Sequence, residues 1–300
     1  ARCSSELAWG MLLQIVASGL SSGSIYALVA LALVITYKTT GVPNFAQGEM
    51  AMFSAFVAYV LIVDYNVGFV VAFGAALVFA FVLGIGFEGV FLRRTKNPTH
   101  LNLIIMTLGF QLALFGLAGW RWGADQRQFP FPVSASEVVR FGNVTISTLS
   151  LATISIALVL MAAVFAFFRF TKLGVAMQAT QQDAMAARIN GVPARAVVAL
   201  TFGISSVIGA VAALLTAPLI TLDPTLMWDP LLKGFAAAVL GGMNTPIGAV
   251  LGGYLLGIVE NLFGAYVSVE FKSAVAFLII VIVLWFRPVG LFGRKPPRKV

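Results

Sequence analysis

The sequence predicts an all-α polytopic membrane protein with about eight transmembrane helices. Three observations carry this expectation. The 300 residues are 60% hydrophobic and 10% charged, whereas a soluble domain carries about 25% charged residues. Apolar runs of about 20 residues, enough to span a bilayer, recur along the whole chain. The charges gather beside those runs, so the net charge of +8 reads as orientation-fixing loop residues and not as a nucleic-acid surface. Residues 1–300 therefore read as one transmembrane domain.

The elements follow in order. The first apolar run, 7–37, is too long for a cleavable signal peptide and reads as a retained span centred on 12–37. Further spans centre on 50–63, 65–87, 101–120, 148–168, 197–222 and 274–286. An external loop at about 121–147 holds Phe129-Pro130-Phe131-Pro132 and a formal glycosylation sequon at Asn143. Segment 231–264 is interrupted. A short apolar stretch ends at Gly241-Gly242, Asn244-Thr245-Pro246 breaks it, and a Gly-rich helix follows. A broken or re-entrant helix pair with both ends on one side fits this pattern. With the 169–195 loop and the C-terminus in the cytoplasm, Lys38, Arg93, Arg94, Lys96, Arg169, Lys172, Arg188, Arg195, Arg287, Arg294, Lys295, Arg298 and Lys299 lie inside. That leaves six of the 19 basic residues outside, Lys233 among them, and the bias puts the N-terminus outside. Leu83-Gly84-Ile85-Gly86-Phe87-Glu88 is echoed by Leu256-Gly257-Ile258-Val259-Glu260, a pairing expected of the inverted repeats of transporters.

Several motifs have ordinary explanations. Gly84 to Gly89 spells a dinucleotide fingerprint, but that motif needs a strand before it and here ends an apolar span. Gly19-Leu20-Ser21-Ser22-Gly23 spells a nucleophile elbow. Its base would have to be His100, the one histidine, which lies at the start of a different span, so hydrolase chemistry is excluded. Cys3 is the single cysteine, which rules out an intrachain disulfide or thiolate metal cluster. With no P-loop or metal-ligand spacing, the chain reads as a non-enzyme without a cofactor of its own.

Polar residues inside apolar spans are more telling. Ser21, Ser22 and Ser24 interrupt the first span, Asn44, Gln47 and Glu49 open the second, and Gln111 lies within the fourth. Side chains of this kind tend to face an interior path, so Ser21, Ser22, Asn44, Gln47, Glu49 and Gln111 are candidate pathway residues. Glu88 and Glu260 have two readings: they bond neighbouring helices, or they line the path. Between spans, 169–195 is polar and helix-prone. Asn190-Gly191 and Pro193 end its helix. It is weakly amphipathic and lacks the basic face of a lipid-surface helix, so its small side chains suit a groove on a partner protein.

Four ordered stretches resemble a known family. Gly41-Val42-Pro43-Asn44-Phe45-Ala46-Gln47-Gly48-Glu49 resembles the signature of branched-chain amino acid ABC importer permeases of the LivH type. Lys172-Leu173-Gly174 with Asp183-x-x-x-Ala187-x-x-x-Gly191 is similar to that family's cytoplasmic loop for the ATPase. Residues 235–242 and 287–293 are similar to its closing signatures. Gln47 stands where the signature has His, which keeps hydrogen bonding and removes a titrating group. The resemblance implies an importer permease in a bacterial inner membrane. It also implies a LivM-like second permease, two ATPase subunits carrying ATP and Mg, and an extracytoplasmic substrate-binding protein. Coupling would fall to Lys172, Gly174, Thr180, Asp183, Ala187, Arg188 and Gly191. An importer permease for urea, short amides or another small organic solute is the alternative reading within this class. An ion-coupled secondary transporter or channel, using Glu49, Glu88 and Glu260, is the alternative of another class.

Overall fold

A computed structural model describes residues 2–95, 99–133, 137–141, 144–287 and 289–293. Lys96, Asn143, Pro288, Arg294, Lys295, Arg298 and Lys299 lie outside the described residues. The described chain is helical apart from one small hairpin. Its helices are α1 (Arg2–Thr40), α2 (Gln47–Val63), α3 (Phe69–Phe87), α4 (His100–Trp122), α5 (Thr148–Phe170), α6 (Lys172–Gln182), α7 (Ala184–Ile189), α8 (Ala194–Thr216), α9 (Trp228–Gly241), α10 (Pro246–Tyr266) and α11 (Lys272–Phe286). A π-helical turn, Glu88–Leu92, extends α3. In the loop at 121–147, β1 (Val138–Phe141) pairs antiparallel with β2 (Val144–Ser147), in a register that sets Val139 opposite Ile146.

Six of these helices are long and apolar enough to cross a membrane, and α2 and α11 are shorter apolar helices. Two expectations change. The 169–195 segment is two helices, not one, because Asp183 turns extended and its carboxylate caps the second of them. Lys233, counted among the outer loop charges, is buried within α9, because a carboxylate on α10 neutralises it. The interruption in 231–264 is confirmed. α9 stops at Gly241, Gly242 takes φ +104°, a conformation that disfavours side chains, and Pro246 starts α10.

The chain forms two compact units, one comprising 31–130 and 159–231, the other 1–30, 131–158 and 232–300. In the first, α2, α3 and α4 pack with α8 around Ala46, Met50, Phe87, Leu114 and Phe202. The Phe87 ring stacks on Phe110 with centroids 4.5 Å apart and meets Phe202 at 5.9 Å. In the second, α10 lies on the first part of α1. A Cβ on Gly257 would sit 2.5 Å from the Gly23 backbone, and one on Gly253 2.5 Å from the Ala27 backbone. Hydrocarbon offers no hydrophobic drive between helices, so close backbone contact of this kind holds them together. The echoed stretches 83–88 and 256–260 hold matching places. Gly84 of α3 presses on Phe202 of the buried helix α8, and Gly257 of α10 presses on the buried helix α1.

Gly257→Leu is expected to destabilise the solubilised protein by about 1–3 kcal/mol or more through overpacking. Gly86→Leu, at a site with nothing within 4 Å, should stay within about 0.5 kcal/mol of the parent. Thermal unfolding in detergent compares the two, and equal losses would refute the close-packing account.

Candidate functional site

The signature stretch forms a buried polar clamp in the first unit. After α1 the chain turns at 41–46, where the Asn44 carboxamide oxygen accepts from the Ala46 amide at 3.2 Å. That turn starts α2 with Gln47 and Glu49 pointing inward. Asn44, Gln47 and Glu49 are each 1% exposed. The Gln47 amide donates to the Ser205 carbonyl at 2.9 Å, and its oxygen accepts from the Ser205 hydroxyl at 3.1 Å. The same hydroxyl lies 2.8 Å from the Ala32 carbonyl, so one serine ties α8 to both α1 and α2. Glu49 accepts from the Trp228 indole at 2.8 Å, and Gln111 of α4 lies within reach of the same carboxylate. The structure thus brings Asn44, Gln47, Glu49 and Gln111 into one unit. It adds Ser205 and Trp228, which nothing local in the sequence marks, since their partners are 158 and 179 residues away.

Ser21 and Ser22 lie on α1 in the other unit, Ser21 buried and Ser22 half-buried. Ser24, one turn on, donates to the Leu20 carbonyl at 2.8 Å and lies 3.2 Å from the Tyr254 hydroxyl. Of the two ambiguous carboxylates, Glu260 is fully buried and accepts from Lys233 at 2.6 Å. Glu88 is buried on the π-helical turn with Oε2 unbonded among the described residues.

The residues of the 169–195 loop divide by the way they face. Thr171 caps α6 by accepting from the Gly174 amide at 2.9 Å. Gly174, Met177 and Thr180 are buried along one side of α6, with Gly174 seated on the Phe167 and Phe168 backbone. Asp183 accepts from the Met185 and Ala186 amides at 2.8 and 3.0 Å. It caps α7, and Ala187 turns inward. Lys172, Asp183, Arg188 and Gly191 are exposed. Outward from the same loop stand Leu173, Val175, Met185 and Ile189, none of them expected as contacts. Met185 and Ile189 are four residues apart on α7, so they share a face, and they are 68% and 79% exposed. Two bonds fasten this loop to the spans: Gln178 donates to the Phe168 carbonyl at 2.7 Å and Gln181 to the Thr39 hydroxyl at 3.3 Å.

Residues 15–284 match the family described as branched-chain amino acid transport system / permease component. The high-affinity branched-chain amino acid transport system permease protein LivH of Escherichia coli K12 is 31% identical over 96% of this chain and 97% of its own. The corresponding BraD protein of Pseudomonas aeruginosa is 30% identical over 96% and 98%. In fold, a chain of PsaBC from Streptococcus pneumoniae in complex with Fab aligns with a TM-score of 0.51 at 14% identity, covering 95% of this chain and 96% of that one.

Gln47→Leu and Ser205→Ala should each destabilise the protein by about 1–3 kcal/mol, and the double variant by clearly less than their sum. A double-mutant cycle on thermal stability measures this, and strict additivity would show that the clamp is not a unit.

Proposed function

This chain belongs to the family of branched-chain amino acid transport permease components, and from that premise we propose that it is a membrane permease subunit of an ATP-driven importer for branched-chain amino acids. The observation that carries the coupling half of this reading is the outward apolar face of α7. Met185 and Ile189 stand exposed in a loop that also carries Arg169, Lys172, Arg188 and Arg195. Basic residues keep such a loop on the cytoplasmic side, and an exposed apolar patch there marks a protein contact. The partner is an ATPase subunit, which supplies ATP and Mg, and the permease itself catalyses no reaction. A second, LivM-like permease, a second ATPase subunit and an extracytoplasmic substrate-binding protein complete the assembly in a bacterial inner membrane. The N-terminus lies outside and the C-terminus in the cytoplasm.

The route from α7 into the membrane is physical. α7 is capped by Asp183 and continues through α6, which is bonded to the end of α5 at Phe168 and to the end of α1 at Thr39. Displacement of an ATPase groove around Met185 and Ile189 is therefore delivered to two spans. At the other end of α1's last turns, Ala32 meets Ser205 and, through it, Gln47. In this reading the clamp around Asn44, Gln47, Glu49 and Gln111 opens and closes with that motion; Ser21 and Ser22, in the other unit, are proposed separately as pathway residues. Of the three carboxylates an ion-coupled mechanism would use, Glu49 and Glu260 each accept through Oε1 from a donor of this chain, Trp228 and Lys233.

Reconstitution tests the reading. Uptake of labelled leucine into proteoliposomes is expected only with the ATPases, ATP and binding protein present; uptake by this chain alone on an ion gradient would sink it. Met185→Asp with Ile189→Asp is expected to cut ATPase co-purification and uptake about tenfold or more, as for a buried hot spot, with the membrane fold intact. Asp183→Ala, which removes the cap, should weaken α7 by about 1 kcal/mol and reduce uptake less.

A further inference from the structure

Lys233 and Glu260 belong to neither the coupling surface nor the Gln47 clamp. The Lys233 ammonium donates to Glu260 Oε1 at 2.6 Å, with the two side chains 7% and 0% exposed. Lys233 stands in the first half of the short helix α9, and Glu260 in the last third of α10. The pair therefore ties together the arms of the hairpin that breaks at 242–245. The ammonium also lies 5.5 Å from the ring centroid of Tyr26 on α1. Gly234, beside Lys233, is seated on Val29, and Gly257, one turn before Glu260, is seated on Gly19 and Gly23. Three helices thus meet around one neutralised charge pair.

Stability alone does not account for it. A buried ion pair is no more stabilising than a well-packed apolar pair of the same volume, and ionisable groups in a membrane interior mark working parts. The carboxylate is also incompletely satisfied, since Glu260 Oε2 is buried and has no hydrogen-bond partner among the described residues. A half-bonded carboxylate has a second donor position to fill, so the junction has somewhere to go when the helices shift. We infer that Lys233 and Glu260 are positioning residues for transport: their ion pair fixes α9 against α10 in one state of the cycle, and α9 shifts about it to reach another. The inference rests on the importer reading above.

The test uses the assembled importer in proteoliposomes, reading ATP-driven leucine uptake, ATP hydrolysed per leucine, and thermal stability. Lys233→Met and Glu260→Gln are each expected to lower uptake about tenfold or more. The neutral double variant, Lys233→Met with Glu260→Gln, should assemble with parental stability while uptake stays about tenfold down and ATP per leucine rises, because neutral partners repack but do not restore the charge contact. The charge swap, Lys233→Glu with Glu260→Lys, should recover uptake to within about threefold of the parent. Parental uptake in the neutral double variant would reduce the pair to packing and overturn the inference. A swap no better than the single variants, including one that does not assemble, would also overturn it. Failure of the parent assembly itself to take up leucine with ATP would remove the importer premise instead, and that is read before any variant is made.

Discussion

A polar group in hydrocarbon has no water to bond, and leaving it unpaired costs several kcal/mol. Much of the architecture follows from that constraint. The backbone is helical almost throughout. Most polar side chains inside the spans bond to a helix carbonyl or to another side chain. Thr36, Ser54, Thr153, Thr201, Ser206 and Thr216 each return a hydroxyl to the preceding turn of their own helix, a local solution that leaves packing untouched. A few groups bond between helices instead, and those few fix which helices meet. Ser205 joins α8 to α1 and α2, Trp228 joins the start of α9 to α2, and Lys233 joins α9 to α10.

Glycine supplies the complementary half. Where helices approach to backbone contact, as Gly253 and Gly257 do against α1 and Gly84 does against α8, dispersion between the chains replaces the hydrophobic effect that lipid removes. Polar bonds then select the register, and close contact supplies the adhesion. The loop at 169–195, rich in charged and polar residues, follows different rules. There Thr171 and Asp183 spend their oxygens on helix caps, buried small residues seat α6 and α7 on the spans, and the large apolar side chains are free to face outward. Exposed apolar side chains on so polar a loop are the feature from which a protein contact is proposed.

Much of this was legible in the chain. Apolar length placed the spans, Asn244-Thr245-Pro246 placed the hairpin break, and Asn190-Gly191 and Pro193 marked the end of the loop helices. The polar opening of α2 was visible because Asn44, Gln47 and Glu49 stand together beside an apolar run. The division of the cytoplasmic segment at Asp183 was not visible. Asp is tolerated inside a helix as well as at its cap, and only the turn geometry distinguishes the two. Lys233 was misplaced for a related reason. A lone lysine near the start of an apolar stretch looks like a loop charge until its carboxylate, 27 residues later, is seen to lie beside it.

The sequence by itself determined the all-helical membrane class and the family, since both depend on the identity and order of residues along one helix at a time. Tertiary structure alone decided which polar groups are spent and which are available. Gly174, Thr180 and Ala187 turned out to be seats, with Met185 and Ile189 as the outward face, and Gln47 and Glu260 found partners far along the chain. A helix's own sequence sets which of its residues share a side, but the neighbour that covers that side is set by contacts between distant segments. No local pattern encodes them.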